Sequence, residues 1–266
     1  MSTRIITLLT DFGTADAFVG IMKGVILGIH PEVHLVDLTH AVPPQQIVPA
    51  ALLLRSAVGA FPAGTVHVVV VDPDVGSTRR PILIETAAGF LVGPDNGVLS
   101  PAAQLMGCRA VRRIENDAFF RHPVSHTFHG RDVFAPVAAH LSRGVPAQEF
   151  GRTLDAIVEL ALPVAQRSVA GVSGEVVYVD HFGNLVTNID AAAIQCFSAP
   201  RLSVSISGRP VVGPVTAYAG VPEGTLLAIV GSWGMLEIAV RNGNAAGTLA
   251  AGPGTPVTVV VESRDA

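Results

Sequence analysis

The sequence predicts an α/β N-terminal domain, a mixed sheet with flanking helices, followed by a small all-β barrel domain. Three observations carry that reading. Through residues 1–165, apolar β-rich runs alternate with segments of helical period. From about residue 170 the runs become short strands separated by Gly and Pro turns, with no convincing amphipathic helix between them. The composition, 49% hydrophobic and 14% charged over 266 residues, can bury a sizeable core and leaves apolar surface for subunit contacts.

Taken in order, Arg4 to Thr10 is an apolar strand ending at Asp11. Phe18, Val19, Met22, Val25, Ile26 and Ile29 fall at helical spacing in Asp16 to Gly28, and Pro31 closes that helix. Val33 to Leu38 is a second strand, and Gln45 to Ala60 a helix with Pro49 early and Gly59, Pro62 and Gly64 late. Val66 to Val71 (VHVVVV) is a continuous apolar strand, of the kind covered on both faces, and ends at Asp72. Ile82 to Thr86 and Phe90 to Val92 are strands joined at Ala88-Gly89. Asp132 to Ser142 is a helix with Pro136 near its first turn, where proline does least harm. The domain boundary falls between Leu162 and Gly171. Beyond it, Val176 to Val179, Leu202 to Ile206, Leu226 to Val230, Leu236 to Val240 and Val257 to Val261 are strands of a second domain, residues 170–266.

Several function classes are disfavoured. The formal net charge is −4 and no basic stripe appears, so neither nucleic acid nor an anionic membrane is an expected partner. No apolar run approaches the roughly 20 residues of a membrane span. Cys108 and Cys196 fit no metal-ligand spacing and read as buried thiols of a reducing cytoplasm. The N-terminal apolar run is too short for a signal peptide, which makes the expected location cytoplasmic. Walker A, GxGxxG, GxSxG and HExxH patterns are missing, against a nucleoside triphosphatase, a Rossmann dehydrogenase, a serine hydrolase and a zincin.

What remains is a set of polar residues at strand ends. Ligands of open α/β sheets bind outside the carboxyl ends of strands, so Asp11 and Asp72 should face one crevice, unless each merely caps the next turn. In Asp72-Pro73-Asp74-Val75-Gly76-Ser77-Thr78-Arg79-Arg80, the Pro turn and the Gly let the chain double back and pair an arginine with Asp72; a structural ion pair is the plainer alternative. His129 precedes a helix beside Gly130, and histidine is the usual proton carrier near neutral pH. The segment His122 to Asp132 also admits a metal cluster as a minor alternative. In the second domain, Asp180 and Asn184 suit the edge of a sugar or a base, and Phe182 suits stacking on a flat ring, though Phe-Gly-Asn is also a common turn. Ser232-Trp233-Gly234 holds the only tryptophan, a residue type more often in a core than against a ligand.

Six segments in order resemble the S-adenosylmethionine hydroxide adenosyltransferase family, which is related to the bacterial fluorinase and chlorinase. They are Leu9-Thr10-Asp11-Phe12-Gly13, Asp72-Pro73-Asp74-Val75-Gly76, Gly93-Pro94-Asp95-Asn96-Gly97, Thr127-Phe128-His129-Gly130-Arg131-Asp132, Asp180-His181-Phe182-Gly183-Asn184 and Ser232-Trp233-Gly234. The resemblance implies a homotrimer with the small-molecule substrate held between subunits. It implies a water-handling trio, Asp72, Arg79 and His129, with Asp11 on the ribose hydroxyls. Asp180 and Asn184 match polar groups around methionine and adenosine, Phe182 a ring neighbour, and Tyr218 an aromatic on adenine. Ser232, Glu237 and the backbone near Val240 match contacts to the methionine and the base. Two departures stand out: Asp74 occupies a position where the family usually has Gly, and Arg241-Asn242-Gly243-Asn244 replaces its usual Asn-Arg-Gly-Asn.

The implied activity is hydrolysis of S-adenosylmethionine to adenosine and methionine by attack of water at C5′, with removal of the inactive sulfonium epimer as one possible role. Methionine leaves as a neutral thioether, so neither a metal nor another cofactor is expected. A halide nucleophile is disfavoured, because a carboxylate about 4 Å away opposes it by roughly 4 kcal/mol at an effective dielectric of 20. The related halogenases carry a tyrosine where this chain has Asp72. Halogenation and nucleoside binding without turnover are the competing readings.

Overall fold

A computed structural model describes residues 5–197 and 202–262. The chain divides between Ala161 and Leu162 into two compact units.

The first unit is a seven-stranded mixed sheet: β1 (Ile5–Thr10), β2 (His34–Thr39), β3 (Thr65–Val70), β4 (Pro81–Thr86), β5 (Gly89–Pro94), β6 (Cys108–Arg113) and β7 (Thr153–Leu154), in the order β2-β1-β3-β5-β4-β6-β7. The strands β2, β1, β3 and β5 run parallel, while β4, β6 and β7 pair antiparallel. Both faces are covered, which is why β3 is buried along its whole length. Ile6, Leu8, Val66, Val68 and Val70 point to one face, packed with Met22 and Ile26 of α1 (Phe18–Ile29) and with α4 (Ala135–Ser142). Leu9, Val69 and Val71 point to the other, with Ala50, Ala51 and Leu54 of α2 (Ile47–Ala57) and the short α3 (Ser100–Leu105).

The second unit is a closed barrel. Its strands are β9 (Gly171–Val179), β10 (Leu185–Asp190), β11 (Leu202–Ile206), β12 (Arg209–Val215), β13 (Leu226–Val230), β14 (Met235–Val240) and β15 (Pro256–Val261). Their order is β10-β14-β13-β12-β11-β15-β9, and β9 pairs back to β10. A short β8 (Gln166–Ser168) edges β9. Valines, leucines and isoleucines alternating inward fill the interior.

The α/β unit followed by a β-barrel agrees with the sequence reading. Most boundaries differ by one or two residues, and Arg4 lies outside the described residues. The helix expected from Asp132 is a π-helical turn, Gly130–Phe134, that runs into α4, with Pro136 in the first turn. Two short helices, α5 (Ala191–Gln195) and α6 (Ala245–Leu249), interrupt the barrel strands where none was expected; Asp190 and Asn244 cap them by accepting from Ala193 and Gly247 N–H. Both cysteines are exposed rather than buried. Among the described residues, no helix is long and apolar enough to cross a membrane.

Candidate active site

The sheet order creates the cavity of the α/β unit. The chain passes from β1 outward to β2, then returns by α2 to β3 on the other side of β1. Crossovers therefore diverge between β1 and β3, the kind of switch point where α/β sheets bind ligands. Leu9 pairs with Val69 and Thr10 with Val70, so both strands end at one edge and deliver Asp11 and Asp72 to it. Asn96, in the Gly93–Gly97 segment, donates to the Val71 carbonyl at 2.9 Å and holds the end of β3.

After Asp72 the chain turns twice, with Val75 N–H donating to the Asp72 carbonyl and Ser77 N–H to that of Asp74. Gly76 has φ +82°, and a Cβ there would strike the carbonyl of His126, so the turn lies directly on the loop that carries His129. Arg79 returns to Asp72: Nε is 2.9 Å from both carboxylate oxygens, and Nη2 also donates to Oδ2. Nη2 is 2.8 Å from His129 Nδ1. The side chains of Arg79 and Asp72 are only 6% and 4% exposed, and the guanidinium lies 5.3 Å from the centroid of Phe134. Arg79 Nη1 is buried without a partner among the described residues.

The His129 loop is anchored by Asp132, whose side chain is fully buried. It accepts from Arg131 Nε (2.6 Å) and Nη2 (2.7 Å), Arg121 Nη1 (3.2 Å) and Ser125 N–H (2.9 Å). Burial alone would raise its pKa; these donors and Arg131's charge outweigh it and hold the carboxyl below its usual range. Burial, and then the charge of Arg79, push the His129 imidazole below its ordinary value against the opposite pull of Asp72 and Asp132. Arginine only donates, so Nδ1 of His129 accepts and the neutral ring carries its proton on Nε2.

Asp11 accepts from the backbone N–H of Gln45 at 2.8 Å; Gln45 adopts φ +66°, unusual for a residue with a side chain. Asp11, Asp72 and His129 line one cavity of about 400 Å³, walled by Phe12, Phe18 and Phe128, whose rings pack edge-on or tilted.

A second cavity, of about 860 Å³, lies in the barrel unit. Asp180, Phe182 and Asn184 reach it from the β9–β10 turn, Ser232 from the β13–β14 turn, Glu237 and Val240 from β14, and Tyr218 from the loop after β12. Asp180 Oδ1 accepts from the N–H groups of Phe182 (2.9 Å) and Asn184 (2.8 Å), and Oδ2 from the Asn184 amide at 2.9 Å. Gly183, at φ +83°, leaves room for the Asn244 carboxamide, and Phe182 stays 72% exposed. Tyr218 donates to Glu237 Oε2 at 3.0 Å. Burial, reinforced by Asp180, raises the Glu237 pKa despite that hydrogen bond. Burial and the Glu237 charge push Tyr218 up to about 12.

All eleven residues singled out from the sequence thus gather in one or other of two places. Trp233, expected to be core, instead lines the second cavity and stacks on Tyr178, with centroids 5.3 Å apart. Sequence reasoning also missed Gln45, the anchoring role of Asp132, and Arg241, Asn242 and Asn244 on the second cavity. The first departure, Asp74, is exposed on the turn, and Asn242 donates to Glu223 at 2.8 Å. In the His122 to Asp132 segment, His122 bonds the Asp117 carbonyl and Asp132 is taken up by arginines; among the described residues no three metal-binding side chains converge.

Residues 6–151 match the model of the SAM hydroxide adenosyltransferase N-terminal domain, and residues 174–258 that of its C-terminal domain. A Salinispora arenicola protein named (R)-S-adenosyl-L-methionine hydrolase is 41% identical over 97% of this chain and 98% of its own length. The crystal structure of a conserved Thermotoga maritima protein superposes with a TM-score of 0.88 at 37% identity, covering 96% of this chain and 99% of that one. An Actinoplanes protein named fluorinase is 31% identical over 70% of this chain and 71% of its own length.

Proposed function

This chain belongs to the S-adenosylmethionine hydroxide adenosyltransferase family, and from that premise we propose that it hydrolyses S-adenosylmethionine to adenosine and methionine. The observation that carries the reading is the Asp72–Arg79–His129 cluster beside Asp11 at the sheet's switch point.

Water attacks C5′ of the ribose in line with the C–S bond, and the sulfonium becomes neutral thioether as it leaves. The leaving group needs no proton and no metal. The nucleophile needs orientation, worth up to about 7–11 kcal/mol in favourable cases, and an acceptor for its proton. His129, with Nδ1 engaged by Arg79, presents Nε2–H as a donor that orients the water oxygen. Asp72 therefore takes the proton, and Arg79 fixes the carboxylate in place. Asp11 holds the ribose hydroxyls. Asp180, Asn184 and Ser232 bind the methionine and nucleoside polar groups, Phe182 and Tyr218 flank the base, and Glu237 with the Val240 backbone completes the contacts. The assembly is a homotrimer with substrate held where subunits meet, working in the cytoplasm without a cofactor.

Two features favour water over halide. The relatives that are 34–41% identical over 90% or more of their own length carry the hydrolase name, against 27–31% for those named fluorinase, and a buried carboxylate opposes a halide in the same cavity. The same names point to the (R)-sulfonium epimer as substrate.

Incubation with each separated epimer, with chelator present, is expected to release equimolar adenosine and methionine, faster from (R). Unchanged substrate, or 5′-chloro-5′-deoxyadenosine in chloride buffer, contradicts the proposal. Sedimentation equilibrium is expected to give three times the 27.5 kDa chain mass.

A further inference from the structure

Asp11 is held by more than its own strand. Three hydrogen bonds tie its loop to the connection between β2 and α2: Gln45 N–H to Asp11 Oδ2 (2.8 Å), Gly13 N–H to the His40 carbonyl (2.8 Å), and a side-chain path through Thr10. That path is buried at its centre. Thr10 Oγ1 accepts from Phe12 N–H at 3.3 Å and lies 2.9 Å from His40 Nδ1. His40 Nε2 is 3.0 Å from Asp37 Oδ1, an electrostatic contact rather than an aligned hydrogen bond, and Asp37 Oδ2 accepts from Lys23 at 2.6 Å. With the His40 Nε2 proton toward the Asp37 carboxylate, Nδ1 is the acceptor for the Thr10 hydroxyl. Thr10 is fully buried and His40 is 7% exposed, so neither can turn to water for a partner.

We propose that Asp37, His40 and Thr10 form a positioning relay that sets the Asp11 loop for its ligand. The inference rests on the reading that Asp11 binds the ribose. The relay touches no substrate; it fixes Phe12 N–H and the loop geometry on which the Asp11 carboxylate depends. Its loss should weaken ribose recognition and leave the water-handling cluster alone.

Titration calorimetry with adenosine tests this on the intact protein. Thr10→Val keeps the shape and removes the hydroxyl. It is expected to weaken adenosine about fivefold, the worth of one hydrogen bond, and to raise KM with kcat little changed. Thr10→Ser is expected to restore affinity to within about twofold of the parent. In an Asp11→Asn background, Thr10→Val should cost nothing further, because its effect runs through Asp11. If Thr10→Val fails to fold, Asp37→Asn at the solvent end carries the same prediction, with a loss of about twofold. An unchanged adenosine affinity in Thr10→Val, or the same loss with and without Asp11, overturns the relay while leaving the reading of Asp11 intact. Adenosine binding indifferent to Asp11→Asn overturns that reading itself.

Discussion

The two cavities use carboxylates in opposite ways. In the α/β unit Asp72 meets Arg79, Asp132 meets Arg131 and Arg121, and Asp95 meets Arg80, while Asp11, the proposed ribose ligand, accepts from the Gln45 N–H. In the barrel cavity, Asp180 is held by backbone and amide N–H groups and Glu237 by a tyrosine hydroxyl; among the described residues no cation bonds either one. A carboxylate locked to a guanidinium is fixed in place and suits a reacting water. Carboxylates left without a cation suit a substrate that brings its own positive charges, here a sulfonium and an ammonium. Under the proposed function, the first cavity carries the chemistry and the second recognises the cationic ligand.

The division can be broken at several points. The largest effect is expected for Asp72→Asn: kcat should fall by about 10²- to 10⁴-fold, the usual worth of a positioned base, with KM changed by less than about threefold. A comparable rise in KM would erase the distinction. Next comes the pH response of the α/β unit, which holds eight of the nine histidines. Burial lowers His67 to about 4 while its ring bonds Thr7 at 2.8 Å. The unfolded chain takes up this proton below pH 6.5 and the folded unit does not until about pH 4, so stability is present above pH 6.5 and is lost as pH falls through that window. The loss is about 3 kcal/mol. Urea unfolding at pH 7 and 4.5 should show a smaller difference in His67→Gln than in the parent; equal differences would contradict it.

In the barrel, Asp180→Ala should raise KM about tenfold and leave kcat within about threefold; a fall in kcat like that of Asp72→Asn would sink the assignment. The smallest effect is expected at Glu237, whose raised pKa means its charge is lost early on acidification. The KM for the sulfonium should climb as pH falls toward that pKa, and Glu237→Gln should flatten the climb to within about twofold. An unaltered profile would place the recognition charge elsewhere.

Much of this was legible in the sequence where local chemistry and the fold agree. The valine-rich β3 announced a strand covered on both faces, and the Pro and Gly between Asp72 and Arg79 announced the return that pairs them. Strands with mixed signals escaped notice. In β6, arginines sit beside a single buried valine, Val111, because its side chains reach out to partners such as Glu85. The strand β12 contains Pro210, Gly213 and Pro214, residues that normally punctuate strands. On the site, strand-end aspartates could be found by position, and Asp180, Phe182 and Asn184 by their chemistry, but the barrel cavity rests on contacts among turns far apart in sequence, and Tyr218, Glu237 and Val240 came from the family resemblance alone. Nothing local marks Gln45, whose contribution is a backbone N–H, or Asp132, whose role depends on partners up to eleven residues away.

The central claim, that water held by the Asp72 cluster attacks C5′, is tested most directly by running the reaction in ¹⁸O-labelled water and weighing both products. The account predicts one labelled oxygen in adenosine, at its 5′ hydroxyl, and none in methionine. Adenosine formed without label would contradict it.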